Sequence, residues 1–347
     1  MKEINNEYKE CRLCPRNCGA ARTEGKNGVC LVTDRLKVAR AALHFWEEPC
    51  ISGTNGSGAV FFSGCAMHCV YCQNEDIAQG LTGKEISGER LAEIFLELQE
   101  KKANNINLVT PGQYLPHIIR AVEEARRQGL ILPIIYNTGG YEKVEVLKRL
   151  EGIVDVWLPD FKYFDPALAA RYSKAPDYPQ VVKAAIAEMV RQQPKAFFYP
   201  EKSSGRPMVD STKQTAESGT IAGKSIDEQT KSCFEPGPLS EECEDGWLIA
   251  RGVIVRQLLL PGGLQDSKRI VKYLYQTYGD QIYLSLMSQF TPLPHVAAYP
   301  ELNRKVTEEE YEEYVDYAIE LGVENGFIQE GDVAEESFIP AFDCEGV

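Results

Sequence analysis

From about residue 58 the chain alternates short apolar runs with amphipathic stretches. The runs are AVFFSG, NINLVTP, LPIIYNTGG, VDVWLPDFK, GVIVRQLLLPGG and IYLSLMSQFTP. Each is rich in β-branched or aromatic residues and closes on Gly, Pro or polar residues, the pattern of a buried parallel strand. Between them, Leu91, Ile94, Phe95 and Leu98, and again Ile118, Ile119, Val122 and Ala125, recur at helical spacing. Strand–helix alternation predicts right-handed crossovers and an α/β domain. Six strands fall short of a closed eight-stranded barrel, so the expected fold is a partial (β/α)6 TIM-like barrel, with an open sheet as the variant. Ligand groups then belong at the strand C-terminal ends, where Cys65, Thr110, Asn137, Asp160, Pro261 and Gln289 fall. This barrel is expected over residues 58–300, after a Cys-rich segment at 1–57 and before a C-terminal helix and tail at 301–347. Residues 194–248, rich in Ser, Thr, Gly, Pro and charge, interrupt the rhythm and read as a mobile insertion. Thr307 and Glu310 form a T-x-x-E capping box opening a helix with Tyr311, Val315 and Ala318 on one face.

Charge and cysteine usage narrow the picture. The 347 residues carry a net charge of -14, which argues against a nucleic-acid partner. The apolar runs are too short to span a bilayer, and the charged N-terminus lacks the apolar stretch of an export signal, so a cytoplasmic protein is expected. Of 11 cysteines, seven lie in two tight clusters, which favours metal ligation over disulfides. Cys50, Cys233, Cys243 and Cys344 are scattered and read as ordinary thiols.

The second cluster is Cys65-x3-Cys69-x2-Cys72, with Tyr71 before its last thiol. Structural zinc takes four ligands, usually as two separated pairs, and ferredoxin-type clusters use four thiolates at another spacing. Three thiolates on one loop can hold three corners of a cubane [4Fe–4S] cluster and leave one iron open to chelate a ligand. The plainer reading of the loop is three buried or zinc-bound thiols, and the alternative for the whole chain is a non-catalytic iron–sulfur or zinc protein that carries electrons or scaffolds a complex, although a pure carrier has no use for an open iron.

This spacing resembles the signature of the radical SAM superfamily. The resemblance implies that the open iron is chelated by S-adenosylmethionine (SAM), which one electron cleaves to methionine and a 5′-deoxyadenosyl radical that takes hydrogen from a substrate. CAMHCVYCQNEDI, including Asn74, NTGGY and PDFK are similar to motifs of pyruvate formate-lyase activating enzymes. CRLCPRNCG, HFWEEPCISG and ELNRKVT resemble an uncharacterised branch close to them. The resemblance implies SAM contacts at Tyr71, Asn74, Thr110, Asn137, Thr138, Asp160, Lys162 and Arg256. It also implies an electron donor such as flavodoxin or ferredoxin, and a substrate that could be a glycyl radical protein. Many relatives end the second strand in Gly-Gly-Glu. Here it ends VTPGQY, so Thr110 and the backbone near Pro111 are expected to substitute. Gln257 stands where the branch has His, suggesting divergence or an altered substrate pocket.

The first cluster, Cys11, Cys14, Cys18 and Cys30 with Gly19, Gly25 and Gly28 between and beside them, suits a closed four-thiolate site for zinc or a second Fe–S cluster. Glu47 and Glu48 read as part of a solvated turn, Asp160 and Lys162 on their own as a surface ion pair, and His68 as a polar filler in the three-cysteine loop.

Overall fold

The computed structural model describes residues 2–201, 246–329 and 340–347. One sheet organises them, with strands in the order β10-β9-β8-β6-β5-β4-β2-β1-β3 and β7 paired to β8. The six predicted runs supply its parallel strands: β2 (Ser57–Phe62), β4 (Ile106–Val109), β5 (Ile134–Thr138), β6 (Val156–Pro159), β8 (Trp247–Leu258) and β9 (Tyr283–Met287). Their spatial order follows chain order without reversal, which with right-handed crossovers sends every connecting helix to the same face. That is the winding of a barrel rather than of a doubly wound sheet, and among the described residues no strand pairing closes it. Helices Gly88–Glu100, Leu115–Arg127, Tyr178–Gln192 and Leu264–Tyr278 cover the outer face.

Three pieces add to the expected plan. β1 (Lys37–His44), within the predicted N-terminal segment, pairs antiparallel with β2 and with the short β3 (Lys84–Glu85). The capped helix Glu308–Leu321 leads into a seventh parallel strand, β10 (Gly326–Ile328). The flanks of the predicted insertion also form structure: β7 (Phe197–Pro200) pairs antiparallel with the start of β8, while residues 202–245 lie outside the described residues.

Alternation along each strand divides the inner face into two zones. Ile135, Val156, Leu158 and Ile254 pack with Ile51 and Cys50 into an apolar plug at the N-terminal ends of the strands. Further along the same strands, Asn137, Asp160, Arg256 and Ser285 line a cavity instead. The outward set, including Val60, Leu108, Tyr136, Trp157, Val255 and Leu284, joins the main core beneath the helices. Gln257 belongs to that outward set. Its amide donates to Ser267 Oγ at 2.9 Å and it does not line the cavity, which corrects the idea that it reshapes a substrate pocket. Among the described residues no helix is long and apolar enough to cross a membrane.

Candidate active site

The cavity at the strand C-terminal ends has a volume of about 350 Å³. Cys65, Cys69, Cys72, Tyr71, Asn74, Thr110, Asn137, Thr138, Asp160, Lys162 and Arg256 all line it, as does Gln289. Pro261, the remaining strand-end candidate, does not.

The three-cysteine loop leaves β2 through Gly64 at φ +88°, where a side chain would meet the Cys30 carbonyl oxygen at 2.6 Å. Tyr71 anchors the loop by edge contacts to Tyr163, Tyr172 and Phe290. His68, at φ +51°, bonds the Val29 carbonyl through Nε2 at 2.6 Å, so it ties the loop to the N-terminal segment rather than merely filling space. The thiols sit among donors: Met67 N–H to Cys65 Sγ at 3.4 Å, and Ser173 Oγ to Cys69 Sγ at 3.1 Å. Burial pushes the Cys65 thiol up to about 11 and Cys72 to about 12, because an unpaired thiolate there is poorly solvated. A bound metal removes that penalty, and the donors then favour thiolates. Among the described residues no three His, Cys, Asp or Glu side chains are drawn together as the ligands of a single ion. Three thiols bordering a cavity fit separate corners of a cluster.

Opposite them, Lys162 Nζ lies 2.5 Å from Asp160 Oδ2 on the cavity wall, with the two side chains only 17% and 27% exposed. This is an ion pair of the site, not of the outer surface. Burial opposes the lysine's charge, but the Asp160 carboxylate beside it outweighs that and holds the amine firmly protonated. Tyr178 OH fixes this turn, accepting from Lys162 N–H and lying 2.9 Å from the Asp160 and Gly139 carbonyls. Thr110 holds φ at +56°, an unusual value for a β-branched residue and a common mark of a functional position. Gln113, in the stretch that replaces Gly-Gly-Glu, secures that bend by donating to the carbonyls of Ser63, Gly64 and Thr110.

Glu47 and Glu48 overturn their expectation. Both are buried against Arg256, whose Nε and Nη2 reach Glu48 at 2.8 and 2.6 Å while Nη2 also bonds Glu47. Asn107 donates to Glu47 at 2.8 Å. Burial alone would push the Glu48 carboxyl up, but the Arg256 charge and hydrogen bonds hold it below the usual carboxylate range. Sequence reading missed this pair because its partner lies 208 positions away. An arginine facing into a barrel was the available signal, since a buried cation needs an anion.

A second, smaller cavity of about 50 Å³ lies behind the loop. Cys11, Cys14, Cys18 and Cys30 line it together with Cys65, Gln113 and Glu142, so the two cysteine clusters are neighbours. Burial raises the Cys14 thiol to about 12.

Residues 59–195 match the family model of the radical SAM superfamily. An uncharacterised protein of Methanocaldococcus jannaschii is 29% identical over 185 residues, covering 51% of this chain and 53% of that protein. The pyruvate formate-lyase-activating enzyme of Clostridium pasteurianum is 27% identical over 123 residues, covering 33% and 49%. The chain thus spans about half the length of these curated relatives. Among solved structures, Streptococcus suis SuiB bound to precursor peptide SuiA superposes with a TM-score of 0.42 at 9% identity, covering 78% of this chain and 47% of that one. SuiB bound to S-adenosylmethionine gives 0.42 at 10%, covering 77% and 48%. The stretch that matches the radical SAM superfamily, residues 59–195, carries the three-cysteine loop at the end of the first parallel strand and the strand-end residues Thr110, Asn137, Thr138, Asp160 and Lys162.

Proposed function

We propose that the chain is a radical SAM enzyme of the activating-enzyme type, with Cys65, Cys69 and Cys72 as ligands of a [4Fe–4S] cluster. The observation that carries this reading is the convergence of three thiols and the polar ends of five parallel strands on one cavity. When bound, the reduced cluster and SAM together supply a 5′-deoxyadenosyl radical that abstracts hydrogen from the substrate. The chain's own residues bind and orient. Thr110, Asn137, Thr138, Asp160 and Lys162 offer donors and acceptors on one wall, and Asn74 and Tyr71 close the loop side. The Asp160–Lys162 pair presents opposite charges to an amino acid moiety, and Arg256, held by Glu47 and Glu48, sets the charge of the floor. Trp46, 60% exposed, and Ile328, 40% exposed, stand at the cavity margin. An apolar rim of this kind suits a loop of another protein, and the activating-enzyme relative favours a glycyl radical protein as that partner. A small reduced protein such as flavodoxin or ferredoxin would supply the electron.

The test is anaerobic reconstitution with iron and sulfide, addition of SAM and dithionite, and quantification of 5′-deoxyadenosine, with Cys69→Ala as control. Product from the wild type and none from the variant is the expected result. A reducible cluster that neither binds nor cleaves SAM refutes the reading and leaves an electron carrier.

A further inference from the structure

Arg22 is fully buried, yet no carboxylate pairs with it among the described residues. Its guanidinium donates to the Thr33 carbonyl at 2.6 and 3.2 Å and to the Gln113 carbonyl at 2.8 Å, and it stacks on Tyr8 with its centre 4.5 Å from the ring. Its remaining polar neighbour is Cys11 Sγ at 3.5 Å, with Cys30 close by. A buried guanidinium cannot shed its proton, so an interior that accepts it has to hold a negative charge nearby. Carbonyls and rings supply only dipoles. Neutral thiols supply no charge, whereas four thiolates on a metal centre do.

The surroundings are shaped for such a centre. All four N-terminal cysteines border the small cavity. Gly28 has no side chain where Cys30 and Cys18 approach: a Cβ there would lie 3.1 Å and 3.6 Å from their sulfurs. The four thiols border one space, as the thiols of the radical loop border theirs. The cavity shares Cys65, Ala66 and Met67 with the radical loop. Arg16, between Cys14 and Cys18, clasps that loop by donating to Ala66 O at 2.8 Å and also to Ser173 O at 2.8 Å.

We propose that Cys11, Cys14, Cys18 and Cys30 hold a second [4Fe–4S] cluster, with Arg22 as its buried counter-charge. Four thiolates on a [4Fe–4S]2+ core carry two negative charges, and Arg22 offsets one of them. On one-electron reduction the centre gains a further negative charge, so the arginine favours the reduced state.

Metal content tests this independently of any activity. Full-length protein, reconstituted without oxygen, is expected to bind about eight iron and eight sulfide per chain, and the Cys65→Ala/Cys69→Ala/Cys72→Ala variant about four of each. Adding Cys14→Ala and Cys18→Ala to that variant should remove the remainder. If the triple variant does not fold, the wild-type count decides alone. In the triple variant, Arg22→Met should shift the midpoint potential of the remaining cluster to more negative values, and Arg22→Lys should restore most of the shift. A wild-type chain holding about four iron and one zinc, or about four iron and no second metal, overturns the proposal. An unchanged potential in Arg22→Met overturns the role given to the arginine.

Discussion

Replacing Arg256 by Met is the sharpest probe of how the floor of the cavity is held. The guanidinium makes two short bonds to Glu48 and a third to Glu47, and all three side chains are nearly inaccessible, at 11%, 5% and 8% exposed. The Met side chain fills much of the volume but leaves two buried carboxylates with no cation. Breaking a buried pair from one side costs about 3–5 kcal/mol, a large part of the ~5–15 kcal/mol that holds a domain together. The penalty should depend on pH. In the wild type Glu48 titrates below its ordinary value, so its contribution is present above the usual carboxylate range and is lost as pH falls through the depressed folded value. In the variant, burial acts unopposed and the folded state prefers a protonated acid. The destabilisation therefore shrinks towards about pH 5 and grows towards about pH 8. Urea denaturation followed by circular dichroism at both pH values measures this directly. The triple change Arg256→Met, Glu47→Gln, Glu48→Gln should recover most of the loss, because it leaves no unpaired charge. A loss below about 1 kcal/mol for Arg256→Met at the higher pH, or no recovery in the triple variant, would refute the reasoning.

Gly64→Ala should impair both cysteine clusters together: it forces a side chain at φ +88° into the Cys30 carbonyl, so iron content in the reconstituted protein should fall. Glu142 is buried beside Thr138 and Tyr136, and burial lifts its carboxyl to about 7. Folding thus favours its protonated form, and stability should fall by roughly 3 kcal/mol as pH rises from the ordinary carboxylate value to about 7. Glu142→Gln should flatten that slope in a denaturation series, and an unchanged slope would reassign it. Thr307 caps the helix Glu308–Leu321 by accepting from Glu310 N–H at 3.2 Å, so Thr307→Ala should lower stability by about 1 kcal/mol in the same assay.

Much of this fold could be read from the chain because buried parallel strands are written as apolar runs, and their period of two says which residues share a face. Ile135 and Asn137, or Val156, Leu158 and Asp160, carry both the plug and the cavity in one alternation. The two cysteine groups were legible because their spacing is local. β10 was not, being three residues long, and neither was β1, whose KVARAALH mixes small and charged residues and gains its strand character from pairing with β2. Arg22 and Gln113 also carried no local signal. Their partners are carbonyls and sulfur brought together by the tertiary fold, and nothing in the adjacent sequence marks such contacts.

The strand order described above ends at β3 on one side and β10 on the other, and no strand pairing among the described residues joins them. On the β1 side of that interval lies the far end of the chain: Cys344 N–H donates to the Ala39 carbonyl, Ala41 N–H donates to the Glu345 carbonyl, and Phe342 meets Phe61 edge-on. The last residues are thus stitched like a hem to a strand that precedes the first thiol of the radical loop in the sequence, and Pro340 reaches the cavity wall. Opposite ends of the sequence thereby share one margin of the site, so a change near residue 340 is felt where the early strands present their thiols.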